Sequence, residues 1–336
     1  MFNKIYENIK QFIKENYKYL LVIFIILILF YIKLPFVIYK SGGTIDLSKR
    51  VETKLNYESD GSLSMCYVSV VKGTPGFILM SYILPDWDLV SIKDEFGDTA
   101  YEDVVKSGKE YMDEGIDNAI ISAFNESEYD IEIKSTTISV GNVLKDSKTD
   151  LQIGDEIISI EAEKVTNQAD VKQILSKFKE NDKVIIKVKN NKKEYERYAK
   201  LINTDDGLKL GIIIAYHYDY ETEIPVKIKM KKHETGSSGG FMMALSIYNS
   251  LTKEDITGGK NIVGTGTIDA QGNVGRIDGV KYKLLGAEKK DADIFFVPKE
   301  NYKEAIKVKN DRKLKLKVVK VETLKDAINY LNVISQ

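Results

Sequence analysis

Hydrophobic and polar positions alternate with different periods along the chain, and the first segment hardly alternates. An apolar and aromatic run occupies residues 19–32, Lys33 interrupts it, and residues 34–39 continue it. A helix needs roughly 20 apolar residues to cross a bilayer. The pattern therefore predicts a transmembrane anchor over residues 19–40, with Lys33 near an interface. Lysines at positions 4, 10, 14 and 18 precede the run. This positive bias predicts that residues 1–18 form a cytoplasmic tail and that everything after residue 40 lies outside the cell membrane.

Two alternatives to a retained anchor are a cleaved signal peptide and a buried core helix. No small-x-small cleavage pattern follows the run. A core helix would rarely lack polar positions on every side. Both observations favour the anchor, and with it an extracytoplasmic location for the domains that follow.

The rest of the chain shows a mixture of strand and helix periods, typical of an α+β protein. Strands are predicted over 65–71 and 77–84, and a helix over 101–124, where apolar residues recur at spacings of three and four. A compact unit over 131–203 combines short strands (138–144, 156–160 and 184–188) with a helix over 168–178. Further strands are predicted over 208–215 and 224–230, and a β-α-β-α pattern follows a glycine-rich turn.

Composition excludes several classes of function. The chain has 49 Lys and Arg residues against 50 Asp and Glu residues, a formal net charge of −1. It therefore lacks the basic footprint of a nucleic-acid-binding protein. A single cysteine, Cys66, and two histidines argue against disulfides and against a zinc site. We expect no metal and no cofactor.

The glycine-rich turn contains the first candidate for chemistry. It consists of Gly236, Ser237, Ser238, Gly239 and Gly240 and leads into residues with helical spacing. A serine at this place can be an N-cap, or it can be a nucleophile beside amides that hold an oxyanion. The residues of the turn alone leave both interpretations open.

The second candidate is Lys281, which shares a helical spacing with Leu284, Leu285 and Glu288. Burial and the positive end of the helix dipole would both favour the neutral amine that a general base requires. The alternative is an ordinary surface lysine. By the same spacing, Lys283 is predicted to point elsewhere and to be solvated.

These segments together resemble the proteolytic domain of Lon peptidases. The resemblance is carried by GSSGG, by GTGTIDAQGNVGRIDGVKYKLLGA and by DADIFFVPKEN. It implies a Ser-Lys dyad of Ser238 and Lys281, with Thr265 beside the lysine amine. It also implies an oxyanion and substrate turn at Gly236, Ser237 and Gly239. The chain departs from the family pattern at Ser237 and Gly239, where the family has proline and alanine, and at Asp278, where it has glycine.

Residues 131–203 resemble a PDZ domain, with L-x-x-G-D-E-I-I-S-I starting at Leu151. Peptide binding would then fall near Thr137, Ile138 and Val140, because PDZ domains add a peptide strand to a sheet edge. An anchor, a PDZ unit and a Lon-like domain together resemble the membrane-anchored PDZ–Lon serine proteases of Gram-positive bacteria (YlbL/SepM type). The resemblance implies a PDZ-like domain inserted between the two parts of a Lon-type domain, at 43–130 and 204–336.

The function implied is an ATP-independent serine endopeptidase at the outer membrane face, acting on exported peptides or unfolded protein segments. No G-x-x-x-x-G-K-[ST] phosphate loop occurs in the sequence, so no nucleotide is expected. The resemblance also allows a homo-oligomer. The alternative is a catalytically inactive scaffold that binds peptides through the PDZ-like domain.

Overall fold

The computed structural model describes residues 2–55, 57, 59–97 and 99–335. The chain forms two compact units, one of residues 1–41 and 68–97, the other of residues 42–67 and 98–336. In chain order, the elements are α1 (Phe2–Tyr31), β1 (Phe36–Asp46), β2 (Val51–Thr53), β3 (Ser62–Lys72), α2 (Pro75–Ile83), β4 (Asp88–Ser91), α3 (Ile92–Phe96), α4 (Tyr101–Glu126), β5 (Ile131–Val143), β6 (Lys148–Thr149), β7 (Glu156–Ile160), β8 (Glu163–Lys164), α5 (Gln168–Leu175), β9 (Lys183–Asn190), β10 (Lys193–Lys200), β11 (Ile202–Thr204), β12 (Gly207–Lys209), β13 (Ile212–Thr222), β14 (Val226–Ile228), α6 (Gly240–Leu251), β15 (Asn261–Gly264), β16 (Thr267–Ile268), β17 (Val274–Gly275), α7 (Val280–Glu288), β18 (Ile294–Pro298), α8 (Tyr302–Arg312), β19 (Lys317–Val321) and α9 (Leu324–Ile334).

The first unit begins with α1, which is longer than the predicted anchor at its N-terminal side and shorter at its C-terminal side. Residues 36–40 lie in β1, where Phe36 pairs with Ser91 and Tyr39 with Asp88 of the antiparallel β4. A continuous helix over 19–40 is therefore wrong. Among the described residues, no helix is both long and apolar enough to cross a membrane.

The prediction of a strand over 77–84 is also wrong, because this segment falls largely in α2. The hydroxyl of Thr74 accepts a hydrogen bond from the amide of Phe77, and Pro75 occupies the first helical turn. An N-cap threonine followed by proline is a strong helix start. Tertiary contact adds to this start, because Phe77 packs edge-to-face on Phe30 of α1 at 5.3 Å between ring centroids.

The second unit contains a mixed α/β layer built on the parallel strands β19, β18, β15 and β3, in that order. Successive strand residues face opposite sides of this sheet. Ile262 and Phe296 pack with α4, α6 and α9 on one side, while Val263 and Phe295 pack with α7 and α8 on the other. The predicted helix 101–124 is confirmed as α4, and the β-α-β-α pattern as the elements from β15 to α9.

A second sheet in this unit has the strand order β13-β5-β7-β9-β10-β6. Its core includes Ile138 of β5, Ile157 of β7, Ile186 of β9 and the apolar face of α5, and it is separate from the cores around the first sheet. The long β13 pairs with β5 from Ile212 to Thr222. This sheet therefore extends past residue 203, the predicted end of the unit.

The remaining predicted elements differ from the observed ones mainly at their ends. The strand over 156–160 is confirmed as β7, and those over 138–144 and 184–188 fall within β5 and β9 apart from residue 144. The strand over 65–71 lies within β3, and the helix over 168–178 is the shorter α5. The segment 208–215 is divided between β12 and β13, and 224–230 contains the shorter β14.

Candidate active site

The glycine-rich turn lies directly before α6 and is fixed by backbone contacts to α4. Gly236 has a positive φ of 95° and donates its amide to the carbonyl of Gly108 at 2.6 Å. A Cβ added at Gly115 would lie 3.4 Å from Cα of Ser237, so glycine allows the close approach of α4 to the turn. Ser237 and Ser238 are both half-buried. The turn thus presents two serines on a backbone that α4 holds in place.

Thr265 is the residue that joins this turn to the end of β15. Its side chain is fully buried, and its hydroxyl donates to the carbonyl oxygen of Ser238 at 2.9 Å. The amide of Gly266 donates to the same oxygen at 2.9 Å. The structure therefore brings Thr265 and Ser238 together through the serine backbone. The placement of Thr265 beside the lysine amine stays a prediction.

Gly239 has a packing role that the sequence did not reveal. A Cβ at this position would overlap Sδ of Met65, which lies on β3. Met65 pairs with Gly264, the residue before Thr265. The glycine that replaces the family alanine is thus matched by a large side chain on the neighbouring strand.

The two lysines of α7 differ in burial, in the direction opposite to the prediction. Lys283 is buried, with 3% of its surface exposed, whereas Lys281 is half-buried and its Nζ lies 5.3 Å from the ring centroid of Tyr282. The buried face of the helix follows Val280, Lys283, Leu284 and Ala287, a spacing of three and four. The expectation that Lys283 is the solvated lysine of this pair is therefore wrong, because it chose the wrong phase of the helix.

Burial changes the acid–base properties of Lys283. Loss of solvation lowers the pKa of its ammonium group to about 8, although Cys66 and Asp278 oppose the shift. The side chain of Asp278 is almost fully exposed, and its Oδ1 lies 3.8 Å from Nη2 of Arg276. Burial also raises the pKa of the Cys66 thiol to about 12, and the nearby Lys283 opposes that shift. A neutral amine at Lys283 is accessible near neutral pH.

Cys66 and Met65 relate the lysine to the serine turn. As successive residues of β3 they face opposite sides of the sheet. Met65 lies against Gly239 on the α6 side, while Cys66 packs on the α7 side and interacts electrostatically with Lys283. The turn and the lysine are thus held on opposite sides of neighbouring strands, near the end of β15. The spacing of Val280, Leu284 and Ala287 is the sequence signal by which Lys283 could have been found.

The predicted peptide-binding residues lie on a strand that has neighbours on both sides. Thr137, Ile138 and Val140 of β5 pair with β13, and Ile138 also pairs with Ile157 of β7. Addition of a peptide strand requires an open edge. The placement of a strand-addition site at these three residues is therefore corrected by the structure.

Helix α4 covers part of β13, the end strand of this sheet. Glu114 accepts the amide of Tyr216 at 3.2 Å, and Asp117 accepts that of Tyr218 at 3.1 Å. Burial raises the pKa of both carboxyl groups. These two side chains therefore occupy backbone donors that an added strand would need.

One more polar contact joins α4 to this sheet. His217 Nε2 lies 2.9 Å from Ser139 Oγ and 3.3 Å from Glu110 Oε2, and the serine hydroxyl donates to Glu110 at 2.8 Å. The contact with Glu110 raises the pKa of His217. Burial acts to raise the pKa of Glu110, but its hydrogen bonds with His217 and Ser139 outweigh burial, so that pKa is lowered.

Comparison with known proteins points to the domain that contains this site. Residues 216–333 match the family model of the Lon protease C-terminal proteolytic domain. A Lon protease of Clostridioides difficile is 34% identical over 93 residues, which cover 28% of this chain and 12% of that protein. A Lon protease of Campylobacter jejuni is 23% identical over 238 residues, covering 67% of this chain and 29% of that protein.

The chain therefore spans less than a third of the length of these relatives. The PDZ domain of an SdrC-like protein from Listeria monocytogenes is 21% identical, with a TM-score of 0.22, over 25% of this chain and 92% of that structure. The match over residues 216–333 defines a Lon-type proteolytic domain, which supports a serine peptidase.

Proposed function

We propose that the chain is an ATP-independent serine endopeptidase with Ser238 as nucleophile and Lys281 as general base. The observation that carries the proposal is the hydrogen bond from Thr265 to the carbonyl oxygen of Ser238, within the segment that matches the Lon-type proteolytic domain. Lys281 takes the place of the family lysine and is half-buried near the start of α7. A general base must lie within reach of the proton that it accepts, whereas Lys283 is buried with Cys66 on the side of the sheet opposite to the turn.

In the proposed reaction, Ser238 Oγ attacks the carbonyl carbon of the scissile bond and its proton passes to the neutral amine of Lys281. The resulting ammonium then protonates the leaving amine, and an acyl-enzyme remains. Water next attacks the acyl-enzyme and gives a proton to Lys281, which passes it to Ser238 Oγ as the acid product leaves. Gly236 already donates its amide to Gly108. The amides of Ser237 and Ser238 are therefore the proposed oxyanion donors.

Digestion of fluorescently labelled casein by the full chain tests this proposal. We expect Ser238→Ala and Lys281→Ala to abolish cleavage, and Ser237→Ala and Lys283→Met to retain it. Loss of cleavage in Lys283→Met with full activity in Lys281→Ala would overturn the assignment of the base. Absence of cleavage by the unsubstituted chain, over a range of unstructured substrates, would favour the inactive scaffold.

The substrate class and the location belong to the same proposal. Exported peptides or unfolded segments are the proposed substrates, at the outer face of the membrane. The apolar run at residues 19–32 and the lysines before it support this location. The absence of a phosphate-loop motif from the sequence supports independence from ATP.

Peptide recognition is proposed at β13 instead of β5. As the end strand of its sheet, β13 has one edge without a neighbouring strand along the described path. Glu114 and Asp117 cover this edge at Tyr216 and Tyr218. The part of the edge that these two side chains leave uncovered, and where we place the peptide, is Ile212–Ile214. Ile212 and Ile214 pack against the core that includes the apolar face of α5.

Fluorescence anisotropy of a labelled peptide tests this second site. Proline removes a backbone donor from a strand edge. The amide of Ile214 lies on the same side of β13 as those of Tyr216 and Tyr218, because amide directions alternate along a strand, so Ile214→Pro should weaken binding. Ile133→Pro, at the opposite end of β5, should leave binding unchanged. Equal effects of the two substitutions would contradict the placement at β13.

A further inference from the structure

The apolar half of α1 is exposed on all its sides. Every residue from 21 to 28 is exposed, which is more than two helical turns. A helix that is apolar all round belongs in a protein core or a membrane. A single protein partner would cover one face only, so the exposure of every face favours lipid.

Helix α2 continues this apolar surface within the same unit. It contains no charged residue, and Leu79, Tyr82 and Ile83 are 60%, 79% and 72% exposed. Phe77 packs on Phe30 near the C-terminal end of α1. Exposed apolar surface of this kind marks an interaction site.

The apolar half of α1 is shorter than the hydrocarbon core of a bilayer, and this difference favours contact of α2 with lipid. Residues 20–31 rise about 18 Å as a helix, whereas the hydrocarbon core of a bilayer is about 30 Å thick. A short apolar segment is accommodated by local thinning of the bilayer, which brings the surface next to the helix to the lipid boundary. Basic side chains precede the apolar half, at positions 4, 10, 14 and 18, and complement anionic headgroups.

We propose that the exposed face of α2, formed by Leu79, Tyr82 and Ile83, inserts into the lipid bilayer beside α1. Tyr82 is suited to the boundary between headgroups and acyl chains, where aromatic residues with a polar end are enriched. The inference rests on the membrane location in the proposed function and is independent of the assignment of Ser238 and Lys281.

The chain's single tryptophan, Trp87, allows a direct test. In a Trp87→Phe background, Leu79→Trp places a reporter on the α2 face, and Asp94→Trp places a matched control on an exposed polar site of α3. The full chain is reconstituted in phosphatidylcholine–phosphatidylglycerol vesicles that contain brominated lipid. We expect quenching of the Leu79→Trp reporter by about twofold, as for a side chain in the acyl boundary, and none of the control.

Flotation of the same vesicles separates the two levels of the proposal. If the chain fails to float with the vesicles, the membrane location itself is contradicted. If the chain floats but brominated lipid does not quench the Leu79→Trp reporter, the role of α2 alone is overturned. A blue shift that depends on protein concentration and not on lipid also overturns it, because a second copy would then cover the face. The double variant Leu79→Glu/Ile83→Glu should still float, because α1 is unchanged, and it should still cleave casein.

Discussion

The hydroxyl of Thr265 donates to the carbonyl oxygen of Ser238 at 2.9 Å, across the gap between the end of β15 and the turn before α6. Because the amide of Gly266 donates to the same oxygen, two successive residues fix the backbone of the proposed nucleophile. Thr265 is fully buried, so water does not compete for this contact. The position of Ser238 thus depends on a residue that need not touch the substrate.

Substitution of Thr265 by valine should lower activity more than stability. The change keeps the side-chain shape and removes one hydrogen bond, which costs about 1 kcal/mol in the free energy of unfolding. Loosening of the turn should reduce kcat about tenfold or more, since small displacements of a nucleophile are costly. Casein digestion and urea unfolding measure the two effects. Thr265→Ser keeps the hydroxyl and should keep most of the activity; equal losses in both variants would contradict this role.

The buried Lys283 should make the stability of the chain depend on pH. Its pKa is about 8 in the folded chain, against an ordinary value of 10.5. The unfolded state therefore binds more protons between these values, and the free energy of unfolding should rise as pH increases from 8 to 10.5. The shift corresponds to about 3 kcal/mol, as an order of magnitude. Urea unfolding of Lys283→Met should lack this rise and show greater stability at and below neutral pH.

Gly239→Ala should destabilise the turn through Met65. The added Cβ overlaps Sδ of Met65, near the flexible end of a buried side chain, so we expect a cost of about 1 kcal/mol, the low end for overpacking. Met65→Val removes the overlapping sulfur, so Gly239→Ala should cost less in that background. A double-mutant cycle of urea unfolding measures the coupling. Additive effects of the two substitutions would show that the contact with Met65 is not the cause.

The contact of His217 with Glu110 should stabilise the chain in a limited pH window. The raised pKa of His217 makes its contribution complete below about 6.5 and lost as pH rises through the folded value. The lowered pKa of Glu110 makes its contribution present above 4.5 and lost as pH falls through the folded value. A cycle of His217→Gln and Glu110→Gln should give a coupling of about 1 kcal/mol or less near pH 6. The coupling should vanish at alkaline pH.

Local sequence determined the elements whose spacing is regular and whose starts are unambiguous. Helix α4, strand β7 and the turn before α6 follow from apolar spacing and glycine positions, because backbone geometry alone produces those patterns. Helix α2 does not follow from its pattern, since an apolar run of this length fits a strand or a helix equally well. The Thr74 and Pro75 start and the contact of Phe77 with Phe30 decide it.

Tertiary structure alone decided which lysine is buried and which strand edge is open. Lys281 and Lys283 both follow the start of α7 closely, and only the packing of α7 on the sheet shows that the face of Val280 and Leu284 is inward. The edges of β5 are likewise occupied by β13 and β7, whose pairing joins residues far apart in the chain. Sequence specifies which side chains are available near the turn of Ser238. Burial, which depends on the whole fold, determines which of them carries an altered pKa.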